Sequence, residues 1–442
     1  MTNRVIISWW LAAMALFAIV PLSRAQTQSS PAPAPIPQHI PALTRHPINH
    51  RDWTIIIDLR LLGSQPQTPP GTINIRPTQR VNLDTATLFF PIPTESATHE
   101  AWNDAVTGSI ILAGRKVVET PRLLTGYQSF TRLSAWDLRD VDADSLHLHL
   151  EVPMTCWETR IDEARAASIA WPVNPWPPDL AACLLPQTFI DSDSPIVQSL
   201  VERWIKQAPT PQGTKRLPPY LLAKYLTGRV ISHYQPSAGA LSTIGRGRNS
   251  IRYSGVLLSG FNLDGAAAAA ERGRGPLLDM PGLLVAAWRA AGIPSRIVIG
   301  YDNRDQDPSR GPTQRSTRVN AVRAWAEFML YNELTGQGEW VPVDIERQRE
   351  FASRAPPLDQ RWQFFGHNEE MDFMCPLAFH WLPPTPCVNV GPPAMWGWVP
   401  QPEGVVVEPD LRISIKAAAR RGDDPKRSTP APGGGGGTTP TK

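Results

Sequence analysis

Residues 273–302 read GRGPLLDMPGLLVAAWRAAGIPSRIVIGYD. The apolar positions from Leu277 to Ala291 predict a helix over 277–291, because Leu, Ala and Met favour helix and their spacing is helical. Gly292 and Pro294 then stop it, and Arg296 to Tyr301 reads as a strand. Downstream, a polar loop over 302–318 leads to a strand from Val319 to Tyr331, which contains VRAWAEFML at 322–330. A turn at Thr335 to Gly338 is followed by a strand from Trp340 to Asp344, within WVPVDIE at 340–346. Upstream, Ser194 and Pro195 start a helix whose Val197, Leu200, Val201 and Trp204 fall on one face. A second helix covers 219–232, and the alanines 266–270 behind Asp264 form a third, short one. Helices followed by an antiparallel sheet make 190–346 an α+β domain.

The blocks occur in an order that resembles the transglutaminase-like superfamily, whose core is papain-like. They are a Gly-rich lead into a helix, the helix ending in Arg289 before Gly-Ile-Pro, a strand ending in Gly-Tyr, an Ala-Trp-Ala-Glu strand, and a Trp-x-x-x-Asp strand. The resemblance implies cysteine chemistry: a thiol at a helix N-terminus, a histidine base and an acid that orients it. Counting back from Gly-Ile-Pro places the family's cysteine on Leu277, and counting back from Ala-Trp-Ala-Glu places its histidine on Arg323. Asp344 keeps the acid. Leucine has no nucleophilic atom, and arginine stays protonated and cannot act as a general base. No Cys, Ser or Thr lies between Pro276 and Arg289, and the histidines nearest to 323 are His233 and His367. The resemblance therefore implies a degenerate triad of Leu277, Arg323 and Asp344, a pseudoenzyme, with the guanidinium as a bidentate partner for the acid. Trp325, Glu327 and Trp340 are candidates for lining the former cleft, or else for core.

Before this domain, 50–187 is a series of short apolar runs separated by turn residues. In it Leu146, Leu148, Leu150 and Val152 alternate with His147, His149 and Glu151. It is expected to be a β-rich domain, a sandwich, so the whole chain is α+β. Residues 1–25 read as a signal peptide: Arg4, an apolar run from Val5 to Val20, then small residues at Ser23 and Ala25. The Pro-rich stretch 26–48 is expected to be an extended linker, 347–417 a C-terminal extension, and 418–442, with five consecutive glycines, a disordered tail. Export to the periplasm, the cell envelope or the medium follows as an expectation, with no membrane span once the leader is cleaved.

The chain of 442 residues carries a net charge of only +3 and no dense Lys/Arg stripe, which argues against nucleic acid as a partner. A protein or peptide partner fits the reading better. Export would make the four cysteines, Cys156, Cys183, Cys375 and Cys387, potential disulfide partners. Four allow three pairings, of which the sequential one is simplest. A zinc site from Cys375, Cys387, His367 and His380 lacks the usual paired-ligand spacing, so neither metal nor cofactor is expected. The rival reading is a hydrolase or acyltransferase with a relocated nucleophile, Cys375 with His367 or His380.

Overall fold

The computed structural model describes residues 39–63, 80–112, 114–118, 120–128, 131–210, 216–238, 251–253, 256–258, 261–304, 322–381, 396–402 and 407–418. The expected leader, most of the linker and Cys387 lie outside these residues, as does the tail beyond Ala418.

The described residues begin with eight strands: β1 (Leu43–Gly63), β2 (Val81–Pro93), β3 (His99–Ala101), β4 (Thr107–Leu112), β5 (Arg115–Val118), β6 (Arg122–Gln128), β7 (Thr131–Ala143) and β8 (Ser145–Ile161). Helices α1 (Glu163–Ser168), α2 (Pro178–Ala182), α3 (Pro195–Lys206) and α4 (Pro219–His233) follow. Next come β9 (Gln235–Ala238), β10 (Ile251–Tyr253), β11 (Val256–Leu258), α5 (Ala266–Arg272), β12 (Arg274–Pro276) and α6 (Asp279–Ala290). Strands β13 (Ser295–Asp302), β14 (Val322–Asn332) and β15 (Gln337–Val343) lead to α7 (Ile345–Phe351) and β16 (Met374–Ala378). The described residues end in β17 (Gly397–Gln401) and β18 (Val407–Ala417).

The β-rich half is two facing sheets. One runs β18-β1-β8-β4-β5, with β3 on β8; the other runs β17-β2-β7-β6. The alternation in β8 places Leu146, Leu148 and Leu150 in the core and leaves His147, His149 and Glu151 on the outer face. Gly108 of β4 lies so close to Trp136 of β7 that a Cβ there would come within 2.8 Å of the indole. This close approach packs the two layers.

Two boundaries differ from the sequence reading. Strand β1 starts at Leu43, inside the expected linker, because Leu43 to Arg45 pair with Ile161 to Thr159 of β8. The segment expected to be an extension supplies β17 to one sheet and β18 to the other, with β18 pairing along Trp53 to Gly63. The chain thus leaves the β-rich half, builds the α+β core and returns.

The second half holds an antiparallel sheet in the order β15-β14-β13-β16, against which α6 packs. Helix α6 is buried from Asp279 to Arg289. It closes with a Schellman motif: Gly292, at φ 81°, donates to the Arg289 carbonyl at 2.9 Å, and Ile293 donates to the Trp288 carbonyl at 2.8 Å. The Gly-Ile-Pro signal is therefore the geometry of a helix end. Both halves share one continuous hydrophobic core, and polar ties cross their seam. Arg51 of β1 pairs with Asp372 at 2.7 Å, and Trp53 Nε1 donates to the Asp372 carbonyl at 2.7 Å.

Candidate functional site

Leu277 sits between β12 and α6, partly buried against the core. Its carbonyl accepts the Met280 N–H at 3.2 Å, which begins the helix. Two residues on, the buried Asp279 carboxylate accepts the backbone N–H groups of Asp264 and Gly265 at 3.0 to 3.2 Å. Burial pushes its carboxyl up to about 7 against those stabilising bonds. At the position expected for a nucleophile there is only an aliphatic side chain.

Arg323, the second residue of VRAWAEFML, lies on β14 opposite Gly300 of β13, with 5% of its side chain exposed. It does not form the expected bidentate pair with Asp344. One guanidinium faces three carboxylates: Nη2 is 3.2 Å from Glu346 Oε1 and 3.6 Å from Asp344 Oδ1, and Nη1 is 3.7 Å from Asp302 Oδ2. These are ion-pair distances, too long or too poorly aimed for hydrogen bonds, and Nε and Nη2 are buried without a hydrogen-bond partner. The network extends outward. Arg304 Nε donates to both Asp302 oxygens at 2.8 and 2.9 Å, and Arg304 and Arg347 both pair with Glu370. The guanidiniums Arg304 and Arg323 and the adjacent Arg304 backbone N–H outweigh burial at Asp302 and hold its carboxyl below the usual range.

Asp344 has a structural use independent of catalysis. It is the N-cap of α7, where its carboxylate accepts the Arg347 N–H at 3.0 Å. Its own N–H donates to the Phe364 carbonyl at 3.1 Å. The cap and the ion pair with Arg323 account for an aspartate at this position.

Glu346, in the first turn of α7, is the partner that sequence reasoning missed. Burial raises its carboxyl to about 7, and Arg323 only partly offsets this. Between the ordinary glutamate value and about 7 the folded chain holds a proton that the unfolded chain releases, so this group makes stability fall as pH rises through that window. Glu346→Gln removes the titration. The stability of the variant relative to the wild type is expected to rise by roughly 1–3 kcal/mol from pH 5 to pH 8. Denaturant unfolding of both chains across that range measures it, and a constant difference would show that Glu346 does not titrate there.

The three candidate cleft residues are core. Trp325 is fully buried among Val298, Met371, Met374 and Phe379, and its ring lies where a Cβ at Gly300 would come within 2.4 Å. Glu327 is fully buried in an ion pair with Arg296. Trp340, 5% exposed, packs with Leu180 and Met329 and borders a pocket of about 570 Å³ beside Leu43, Arg45 and Glu339. That pocket lies at the opposite end of β15 from Asp344.

Cys156, Cys183 and Cys375 are unbridged in this structure, and Cys387 lies outside the described residues. Cys156 is on the core face of β8, whereas Cys183 ends α2 with its thiol toward the Asp179 carbonyl at 3.5 Å. Cys375 is fully buried on β16, and burial first, then contact with the Cys156 thiol, pushes its own thiol well above the ordinary value. His380 and His367 are also buried; His367 Nδ1 faces Arg361, and Nε2 lies 3.4 Å from Glu369. Among the described residues, no group of three His, Cys, Asp or Glu side chains is placed to hold a metal ion.

Residues 225–345 match the family model of the transglutaminase-like superfamily and form a transglutaminase-like domain. A search of curated proteins gives no match. Among solved structures, the chain is similar to a cysteine protease candidate from Cytophaga hutchinsonii at 13% identity and a TM-score of 0.43, covering 85% of this chain and 93% of the other. It is also similar to the periplasmic domain of TgpA from Pseudomonas aeruginosa, at 12% identity and a TM-score of 0.24, covering 72% and 98%. A protease candidate from Parabacteroides distasonis aligns at 10% identity and a TM-score of 0.20, covering 60% and 44%.

Proposed function

We propose that this chain is an exported, catalytically silent transglutaminase-like protein that acts as a binding or scaffolding module for a protein or peptide. The observation that carries the reading is the state of Arg323. A base must be free to lose its proton, and this guanidinium is held among Asp302, Asp344 and Glu346, which favour its charged form. Leu277 adds the second argument, since no nucleophile stands at the head of α6.

The rival reading needs Cys375 as nucleophile. A reactive thiol is partly exposed in an electropositive setting that lowers its pKa, and the burial of Cys375 acts in the opposite sense. The rival also needs an imidazole free to take the proton, whereas His367 lies against Arg361 and Glu369.

Incubation of the purified chain with a glutamine-bearing peptide and a primary amine tests the silent reading. No ammonia release and no amide product are expected, with or without a thiol alkylator. Turnover that the alkylator abolishes would overturn it and point to Cys375. Export is tested separately by N-terminal sequencing of the secreted chain, expected to begin near Gln26. Among the described residues no helix is long and apolar enough to cross a membrane.

A further inference from the structure

Cys156 and Cys375 come from opposite halves of the molecule and lie on opposite sides of the seam between them. Cys156 is near the end of β8, paired across the sheet with Arg51 of β1 and His99 of β3. Cys375 is on β16, opposite Tyr301 of β13. Several contacts hold β16 and the segments flanking it against β1, β3 and β8 of the β-rich half. Arg51 grips Asp372 at 2.7 Å, three residues before Cys375, and the Phe379 ring, four residues after it, lies 6.1 Å from the His99 ring. Thr159 and Asn368 bridge backbone to backbone, with N–H to carbonyl distances of 3.3 and 3.1 Å. Within this frame both side chains are fully buried in the same core cluster, and Cys156 is the neighbour that, after burial, raises the Cys375 thiol.

We propose that Cys156 and Cys375 are a disulfide-forming pair that staples the β-rich half to the transglutaminase-like core when the chain folds in an oxidising compartment. The chemistry is thiol–disulfide exchange with a small-molecule or enzyme-borne disulfide as the oxidant. One cysteine thiolate attacks an oxidant sulfur to form a mixed disulfide and release one thiol. The second cysteine then displaces the other oxidant sulfur. The two cysteines lose two electrons and two protons, and the oxidant disulfide becomes two thiols. The bond requires the sulfurs to close to about 2.05 Å. The bond would join strands more than 200 positions apart in sequence.

Burial sets the order of events. A raised thiol pKa and a closed core slow exchange in the folded state, so the bridge forms before the seam closes. Once formed, it is shielded from reductant. Reduced protein, once folded, stays reduced for the same reason. This places Cys375 outside any nucleophilic role without relying on the silent reading, because a chain with an intact bridge could still be assayed for turnover.

The experiment uses the full chain, refolded with oxidised glutathione as the disulfide donor. It is then unfolded in iodoacetamide without reductant, digested and mapped by mass spectrometry. A peptide linking Cys156 to Cys375 is expected, and a chain folded under reductant should melt lower, by on the order of 5 °C. Cys387→Ser should leave the linked peptide in place, and Cys156→Ser should abolish it. Alkylation of both Cys156 and Cys375 in the refolded wild type would overturn the proposal, as would linkage of Cys375 to Cys387 or of Cys156 to Cys183. Mapping the wild type keeps the test decisive even if Cys156→Ser does not fold.

Discussion

Arg323→Leu is expected to destabilise the fold by roughly 3–5 kcal/mol at pH 8. The guanidinium is 5% exposed and is the charge shared by Asp302, Asp344 and Glu346. Removing it leaves these carboxylates close together in a buried site, and the penalty of an unpaired buried charge is larger than the net worth of the pair. The three respond differently. Asp302 retains Arg304, and Asp344 retains the Arg347 N–H as a cap, so Glu346 bears most of the loss. Its carboxyl already sits at about 7 and must rise further without Arg323. Below that value it takes up a proton and the repulsion is relieved, so the destabilisation should shrink at pH 5. Adding Glu346→Gln to Arg323→Leu should recover part of the loss, whereas Asp344→Asn, which keeps a capping side chain, should recover less. Denaturant midpoints of the single and double variants measure this. Strictly additive losses between Arg323 and Glu346 would show that the two do not interact.

The same residues show what the chain reveals before folding. Helix α6, its stop at Gly292 and strands β13 to β15 are local events, each coded by spacing and turn chemistry within about a dozen residues. Leu277, Arg323 and Asp344 could be located by counting along those elements. Glu346 and Asp302 both lay within the blocks already quoted, yet nothing local marks an exposed first-turn glutamate apart from one aimed at a buried arginine. That distinction depends on how α7 sits against β14. The Asp344 cap was legible in principle, since an aspartate before Ile-Glu-Arg is a helix start. It was obscured because the same residue matched a catalytic position. The joining of β17 and β18 to the N-terminal sheets is a different case. Trp53 of β1 pairs with Ala417 of β18, and no periodicity within either strand specifies a partner so far away. The choice between cleft and core for Trp325, Glu327 and Trp340 stayed open in the sequence for a related reason: a tryptophan or glutamate on a central strand has the same local signature whether its face is covered or open.

Glu327 is the most consequential of these, and Glu327→Gln is expected to cost roughly 3–5 kcal/mol while changing almost no volume. Glu327 is fully buried, and its Oε2 accepts from Arg296 Nε at 2.8 Å and lies 2.7 Å from Arg296 Nη2. Its other oxygen is 3.4 Å from Trp325 Nε1. Arg296 is layered between the rings of Trp340 and Phe379, at 4.2 and 3.9 Å. Burial pulls its guanidinium down from the ordinary value, and Glu327 opposes that shift. The ring faces contribute about 1–2 kcal/mol of cation–π attraction, too little to replace a carboxylate. The amide keeps an acceptor and most of the hydrogen-bond geometry but removes the charge. Burial first, and this guanidinium second, drive the adjacent His99 down to about 3 and keep it neutral. Arg296→Met combined with Glu327→Leu should recover most of the loss, because replacing a whole buried pair with apolar side chains of similar volume is often neutral or stabilising. Thermal and denaturant unfolding of Glu327→Gln, Arg296→Met and the apolar double variant separate the outcomes. If Glu327→Gln melts with the wild type, the carboxylate does not hold Arg296 in the core. If the double variant is no better than the worse single one, the site depends on geometry that only the ion pair provides.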